Sequence, residues 1–282
     1  MNIIEAIVLG IIQGLTEFLP ISSTGHLTLV GKFMGLISDQ NPEKWTAFIA
    51  VIQLGTLAAV LIYFYKDLYN IFIEFIKYNL ISPKKLSRQS TNSKLGWFII
   101  LGSIPVVIIG LGFKDFIEGH FTKNLYVIAT SLIVLGIILA GAEKFGKFTR
   151  GIEKITWLDA LLIGCAQALS LIPGSSRSGT TITAGLFLGL NRETAARFSF
   201  LLSIPAVLGS GLLEFYHEYK NLDQSGFITL AIATLASALS GYFAIAFLIN
   251  FLKKNTTYVF VIYRVGIGVA ILLFLYFNII NP

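Results

Sequence analysis

A polar stretch broken by Pro, Gly and Ser occurs twice within sequence that is otherwise apolar enough for a lipid bilayer. Residues 10–26 read G-I-I-Q-G-L-T-E-F-L-P-I-S-S-T-G-H, and residues 164–180 read G-C-A-Q-A-L-S-L-I-P-G-S-S-R-S-G-T. With two single-residue gaps they share Gly, Gln, Leu, Ser/Thr, Pro, Ser-Ser and Gly. Hydrophobic residues make up 55% of the 282 and charged residues 13%, against about 25% charged in soluble domains. The chain therefore reads as an all-α polytopic membrane protein, because helices can satisfy their own backbone in lipid. Ionisable groups at that depth are costly and mark sites.

Apolar segments of spanning length lie at 45–65, 96–113, 125–142, 195–213, 227–251 and 258–277. Regions 3–36 and 157–190 are also apolar, but Pro, Gly and Ser break them in the middle. Each is too polar centrally for one helix and too short for two spans, so both read as re-entrant helical hairpins lining a cavity. Counting them as full spans is the competing topology. Basic residues cluster in 66–95 and 143–156 and at Arg192, Arg197, Lys253 and Lys254. The loops 37–44, 114–124 and 214–226 lean acidic, with only Lys44, Lys114, Lys123 and Lys220. Six spans plus two hairpins place every basic-rich loop on one side, the cytoplasmic side by the positive-inside rule. The net charge of +6 thus follows membrane sidedness, and no nucleic-acid partner is expected.

The expected organisation is one membrane domain over 1–282. One repeat covers about 1–142 and a second about 157–282, with cytoplasmic linkers at 66–95 and 143–156. A loose echo of 48–60 in 198–207 extends the repeat. Opposite orientations make this an inverted-topology repeat, in which broken helices meet near the midplane. The two polar patches, far apart in sequence, should then share one pocket. Leu68, Phe72, Phe75 and Ile76 suggest an interfacial helix. Cys165 reads as a buried, inert thiol, and Arg264 as paired with helix-end carbonyls or a lipid headgroup.

In the second patch, Arg177 sits among turn formers ahead of a restarting helix. Backbone amides there favour an anion, and a guanidinium matches phosphate oxygens in bidentate fashion. Ser175, Ser176, Ser178 and Thr181 add hydroxyl donors. The structural alternative is a close-packing kink with Arg177 snorkelling. It fits less well, since snorkelling works from helix ends and this arginine lies in the break. In the first patch Gln13 and Glu17 share a helix face, Pro20 ends that helix, and Ser22-Ser23-Thr24-Gly25-His26 opens the next. Glu17 can hold a divalent cation or accept a proton, and His26 can act as general acid/base. Ser22 or Ser23 is a nucleophile if a base lies in reach. Taken singly, a headgroup-facing carboxylate, capping serines and a structural histidine serve as well; the set facing Arg177 points to chemistry. His120 and His217 read as solvated. There is no P-loop, GxSxG or HExxH.

These residues resemble the undecaprenyl-diphosphatase (bacitracin-resistance) family along essentially the whole chain. Residues 13–26 are similar to its (E/Q)xxxE segment and the Ser-Ser-Thr-Gly-His beyond it, and 173–181 to its PGxSRSxxT segment. The resemblance implies hydrolysis of undecaprenyl diphosphate to undecaprenyl phosphate, the lipid carrier of wall polymers. It also implies a bacterial plasma-membrane location, a site open to the periplasmic or outer face, dependence on Mg²⁺ or Ca²⁺, and a homodimer. Carried over, Glu17 assists metal or proton transfer, Ser23 is nucleophile or phosphate ligand, His26 acid/base and Arg177 the phosphate clamp. Ser22, Ser175, Ser176, Ser178 and Thr181 complete the phosphate nest. Many members have Glu where this chain has Gln13; the neutral amide leaves less charge for a divalent cation at Gln13 and Glu17, so an ion bridged by water or held mainly by the substrate diphosphate fits as well as direct ligation. Either Ser23 or water attacks. The alternative function is a transporter or flippase of a phosphate-bearing lipid or anion, since inverted repeats with broken helices are typical of carriers.

Overall fold

The apolar periodicity resolves into α-helices with no named strand among the described residues. The computed structural model describes residues 1–37, 42–113, 120–218 and 224–281. In chain order the helices are α1 Ile3–Phe18, α2 Ser23–Phe33, α3 Pro42–Tyr63, α4 Tyr65–Ile76, α5 Thr91–Gly112 and α6 Leu125–Phe145. They continue as α7 Trp157–Ala168, α8 Arg177–Phe187, α9 Arg192–Glu218, α10 Gln224–Leu252 and α11 Tyr258–Tyr276. Six of them, α3, α5, α6, α9, α10 and α11, are long and apolar enough to cross a membrane. Their outer faces carry large exposed side chains such as Ile108, Leu111, Phe243 and Ile262, as a lipid-facing surface requires. The chain is an all-α polytopic membrane protein. Much of the acid-leaning side, including Lys114 and Lys220, lies outside the described residues.

Both interrupted regions are pairs of short helices. Pro20 stops α1, which ends at Phe18 with an extended C-cap, because proline cannot continue the helical ladder. The second pair, α7 and α8, is separated by a 3₁₀ turn at Leu169–Leu171 and the Pro173-Gly174 break. Small residues at corresponding positions let each pair seat deeply. A Cβ on Gly10 would lie 2.3 Å from the Ala233 carbonyl oxygen of α10, and one on Gly164 would lie 2.2 Å from the Gly102 carbonyl oxygen of α5. Such backbone approach is how helices associate where lipid removes the hydrophobic drive. Thus α1 lies along α10, and α7 lies along α5.

The basic end is tied by ion pairs. Buried Glu143 at the end of α6 accepts from Arg192 and from the Thr257 amide and hydroxyl. Arg150 holds Asp159 and the carbonyls of Lys154 and Leu188. The segment expected to hold an interfacial helix is α4, in which Leu68, Phe75 and Ile76 are half-buried and Phe72 is exposed beside Tyr65 and Tyr69. One sequence expectation needs correction here. Cys165 is exposed, since the buried stripe of α7 passes through Ala160, Ile163, Gly164 and Gln167.

Candidate active site

The helix that follows each break starts from a serine in a rare conformation. Ser22 caps α2 at φ 74, ψ 97, and its hydroxyl accepts from the Gly25 amide. Ser176 caps α8 at φ 66, ψ 109 and accepts from the Gly179 amide. A positive φ at a non-glycine residue is strained and tends to mark functional sites. Two such serines at matching repeat positions make a built feature.

The tips touch. Ser178 Oγ of the second hairpin donates to the Leu19 carbonyl of the first at 3.0 Å. Arg264, fully buried in α11, binds both: its guanidinium donates to the carbonyls of Pro20, Gly174, Ser175 and Leu132. Of the two roles expected for Arg264, pairing with carbonyls is the one observed. Backbone dipoles stand in for a carboxylate, satisfying a charge that would otherwise be prohibitive at this depth.

Glu17 is the centre of the polar cluster. Its Oε1 accepts from Arg177 Nη2 at 2.8 Å. Its Oε2 accepts from Ser23 Oγ at 2.6 Å and Gln13 Nε2 at 2.9 Å. Arg177 Nη1 also donates to the Ser199 carbonyl at 3.3 Å, and Thr181 fixes Ser199 through a 2.6 Å hydroxyl contact. The patches, about 150 residues apart in sequence, therefore meet in one ion pair. Glu17, Ser22, Ser23, Ser176 and Arg177 line a cavity of about 510 Å³, whose other walls include Val106, Val107, Leu171, Ile172, Pro205 and Val207. That size suits a small-molecule site with apolar walls and few polar groups.

Other expected site residues stand behind the wall. Gln13 is fully buried and holds Glu17. Ser175 is buried, and its hydroxyl has no partner among the described residues. Ser178 ties the tips together, and Thr181 supports Ser199. His26 is outside the cavity lining, stacked on Tyr263 with ring centroids 5.6 Å apart. Its Nδ1 lies 2.7 Å from the Ser22 carbonyl and its Nε2 2.8 Å from the Tyr263 hydroxyl. A carbonyl only accepts, so Nδ1–H donates to Ser22, and in the neutral ring Nε2 accepts from the Tyr263 hydroxyl. Both ring nitrogens are thus engaged.

A family model described as bacitracin resistance protein BacA matches residues 6–270. The chain belongs to that family. It is 59% identical over 272 residues to the undecaprenyl-diphosphatase of Syntrophobacter fumaroxidans, covering 96% of this chain and 97% of that one. Undecaprenyl-diphosphatases of Chloroherpeton thalassium and Chlorobaculum tepidum are 50% and 47% identical over 281 residues, covering 96% of each chain.

For a family member expected to use Mg²⁺ or Ca²⁺, the donor set is sparse. No group of three or more His, Cys, Asp or Glu occurs among the described residues. Both Glu17 oxygens are engaged by Arg177, Ser23 and Gln13, and the buried Gln13 Oε1 beside them has no partner among the described residues. Hard divalent cations take six or more oxygens, so these side chains do not form a cage for one. Sequence reasoning missed Gln53, Gln167 and Thr24 in the lining, and Tyr263 and Ser199 as supports. Gln167 was legible, since the repeat aligns it with Gln13; Tyr263 and Ser199 carry no local signal.

Proposed function

We propose that this chain hydrolyses undecaprenyl diphosphate to undecaprenyl phosphate and inorganic phosphate. The observation that carries the reading is a hydroxyl, a carboxylate and a guanidinium in direct contact on the wall of an apolar cavity. Ser23 and Glu17 are a nucleophile–base pair, and Arg177 keeps further N–H donors for phosphate oxygens. A phosphate carrier needs donors but no such pair. The family membership and the names of the relatives point the same way.

Ser23 Oγ attacks the terminal phosphorus and passes its proton to Glu17. The bond from that phosphorus to the bridging oxygen breaks, and undecaprenyl phosphate leaves with the bridging oxygen and the proton from Glu17. Water then attacks the phosphoserine, its proton moving through Glu17 to Ser23 Oγ as inorganic phosphate departs. Arg177 stabilises charge on the transferring group in both steps, and its bond to Glu17 holds the carboxylate against Ser23. His26 acts through the Ser22 carbonyl, positioning the turn that presents Ser23. Mg²⁺ or Ca²⁺ would arrive with the diphosphate, ligated mainly by substrate and water, and would neutralise phosphate charge.

The cavity lining includes Thr46, Leu111, Leu213 and Glu214, which adjoin the acid-leaning loops. With the basic loops cytoplasmic, the site faces outward from a bacterial plasma membrane. The helix pairs then act as re-entrant hairpins of an inverted repeat. Homodimerisation follows from the family resemblance and is read by cross-linking in membranes.

The test is phosphate release from undecaprenyl diphosphate by detergent-purified protein, with and without EDTA, beside Arg177→Ala, Glu17→Ala and Ser23→Ala. The expected result is metal-dependent release that falls by about 10²–10³-fold or more in each variant. Acid-quenched protein should carry phosphate on Ser23. Folded wild-type protein that releases no phosphate with Mg²⁺ or Ca²⁺ supplied overturns the function. Turnover without phosphoserine, retained in Ser23→Ala, assigns the attack to water.

A further inference from the structure

Gln167 lies on the buried stripe of α7, has no solvent exposure, and lines the cavity with Glu17, Ser23 and Arg177. Both its Oε1 and its Nε2 lack a hydrogen-bond partner among the described residues. A buried amide unsatisfied at both ends is rare in native structures and calls for an explanation such as a ligand. The counterpart in the other hairpin shows the contrast. Gln13 spends its Nε2 on Glu17, whereas the residues one turn beyond Gln167 are Ser170 and Leu171. Ser170 turns its hydroxyl back onto the Gln167 carbonyl at 2.6 Å. The second hairpin thus keeps the glutamine and lacks the carboxylate that would occupy it.

We infer that Gln167 is a ligand of the substrate's diphosphate, a second donor to its phosphoryl oxygens beside Arg177. This rests on the hydrolase reading above. Ionised phosphoryl oxygens accept and do not donate, so the Nε2 protons face them, while Oε1 accepts from a water bound with the headgroup. A neutral amide supplies these bonds without a second cation, which would compete with Arg177 for Glu17. The unmet hydrogen bonds destabilise the ligand-free protein and are recovered when the diphosphate binds, so affinity and stability oppose each other at this position.

That opposition supplies the test. Gln167→Met keeps an unbranched chain of similar length and removes both polar atoms. Its ligand-free unfolding temperature should equal or exceed that of wild type, while kcat/KM for undecaprenyl diphosphate falls about 10–100-fold, the range for a hydrogen bond to a charged group. Inorganic pyrophosphate, used as a probe, should raise its unfolding temperature less than it raises that of wild type. A glutamine that merely braced the fold would do the reverse: the variant would unfold earlier, and its folded fraction would keep wild-type kinetics. That outcome, or unchanged kinetics at unchanged stability, overturns the inference. If Gln167→Met does not fold, Gln167→Asn keeps both polar atoms and withdraws them by one methylene. An unchanged KM and pyrophosphate shift in that variant overturn the inference equally. Wild-type and Arg177→Ala controls separate the two claims: an active wild type, an impaired Arg177→Ala and an unaffected Gln167→Met reject only the glutamine.

Discussion

Ser22 and Ser176 hold the same place in their hairpins and the backbone treats them alike: both take positive φ, and both cap the following helix through the amide three residues on. The side chains around them part company. The first hairpin supplies Glu17, which accepts from Ser23 and Gln13. The second supplies Arg177, which donates to Glu17, and Gln167, whose amide has no partner among the described residues. The comparison separates two layers of design. Two alike backbone turns shape the pocket, and their different side chains put a carboxylate and a hydroxyl on one wall and a guanidinium on the other, the division on which the proposed attack and anion binding rest.

Exchanging the Glu17 and Arg177 charges tests that division of the walls most severely. In a Glu17→Arg/Arg177→Glu double variant the ion pair can re-form across the tips, so stability should recover relative to either single change. Phosphate release should stay down by roughly 10³-fold, because Ser23 then faces a guanidinium and no base. Thermal unfolding and phosphate release on the three variants read both layers. Recovered turnover would show that only pairing matters and that the walls are interchangeable.

Arg264 joins what the comparison separates, since its guanidinium serves carbonyls from both breaks. Arg264→Met should fill similar space and leave those carbonyls without a donor. At about 1 kcal/mol per hydrogen bond, with the bond to Leu132 lost as well, a loss of roughly 4 kcal/mol is expected in thermal or denaturant unfolding, with turnover falling in parallel. Arg264→Lys should rescue little, because one ammonium lacks the planar fork. A variant as stable as wild type would mean the tips are held by Ser178 and helix packing alone.

The twin serines should answer identically in stability and differently in rate. Ser22→Ala and Ser176→Ala each remove a cap at a cost of about 1 kcal/mol and keep the strained φ. The glycine variants also lose the cap but relieve the strain, so they should lie within a few tenths of wild type. Turnover should drop more for Ser22 changes, because that turn carries the adjacent Ser23. Unequal stability changes would show that the matching φ values conceal different surroundings.

Much of this was legible in the chain. The six spans follow from apolar length alone, and the breaks from Pro20 and Pro173-Gly174, because proline and glycine act locally. The Glu17–Arg177 meeting followed from the repeat, which converts sequence likeness into proximity. Side-chain direction was less legible. Cys165 falls on an outer face because a few tens of degrees of helix rotation decide burial, and the mostly apolar run of α7 marks that rotation only weakly in sequence. The Gln13 amide already argued in sequence against direct metal ligation; what the chain did not show is that Arg177 and Ser23 occupy the Glu17 carboxylate.

His26 gives the smallest expected effect and separates two roles that sequence alone cannot. Its Nδ1 proton sits on the Ser22 carbonyl and its Nε2 on Tyr263, so no nitrogen is left to shuttle a proton at the cavity wall. Removing a general acid or base typically costs 10²–10⁴-fold and abolishes a limb of the pH–rate profile. A positioning histidine predicts a milder outcome for His26→Gln, whose amide can restore one of the two bonds. Turnover should fall by less than about tenfold, well below that acid–base range, with both limbs of the profile in place. Tyr263→Phe should fall less again, because it removes only the outer contact. Loss of one limb in His26→Gln, retained in Tyr263→Phe, would return the proton to the histidine and require the ring to swing into the cavity during turnover.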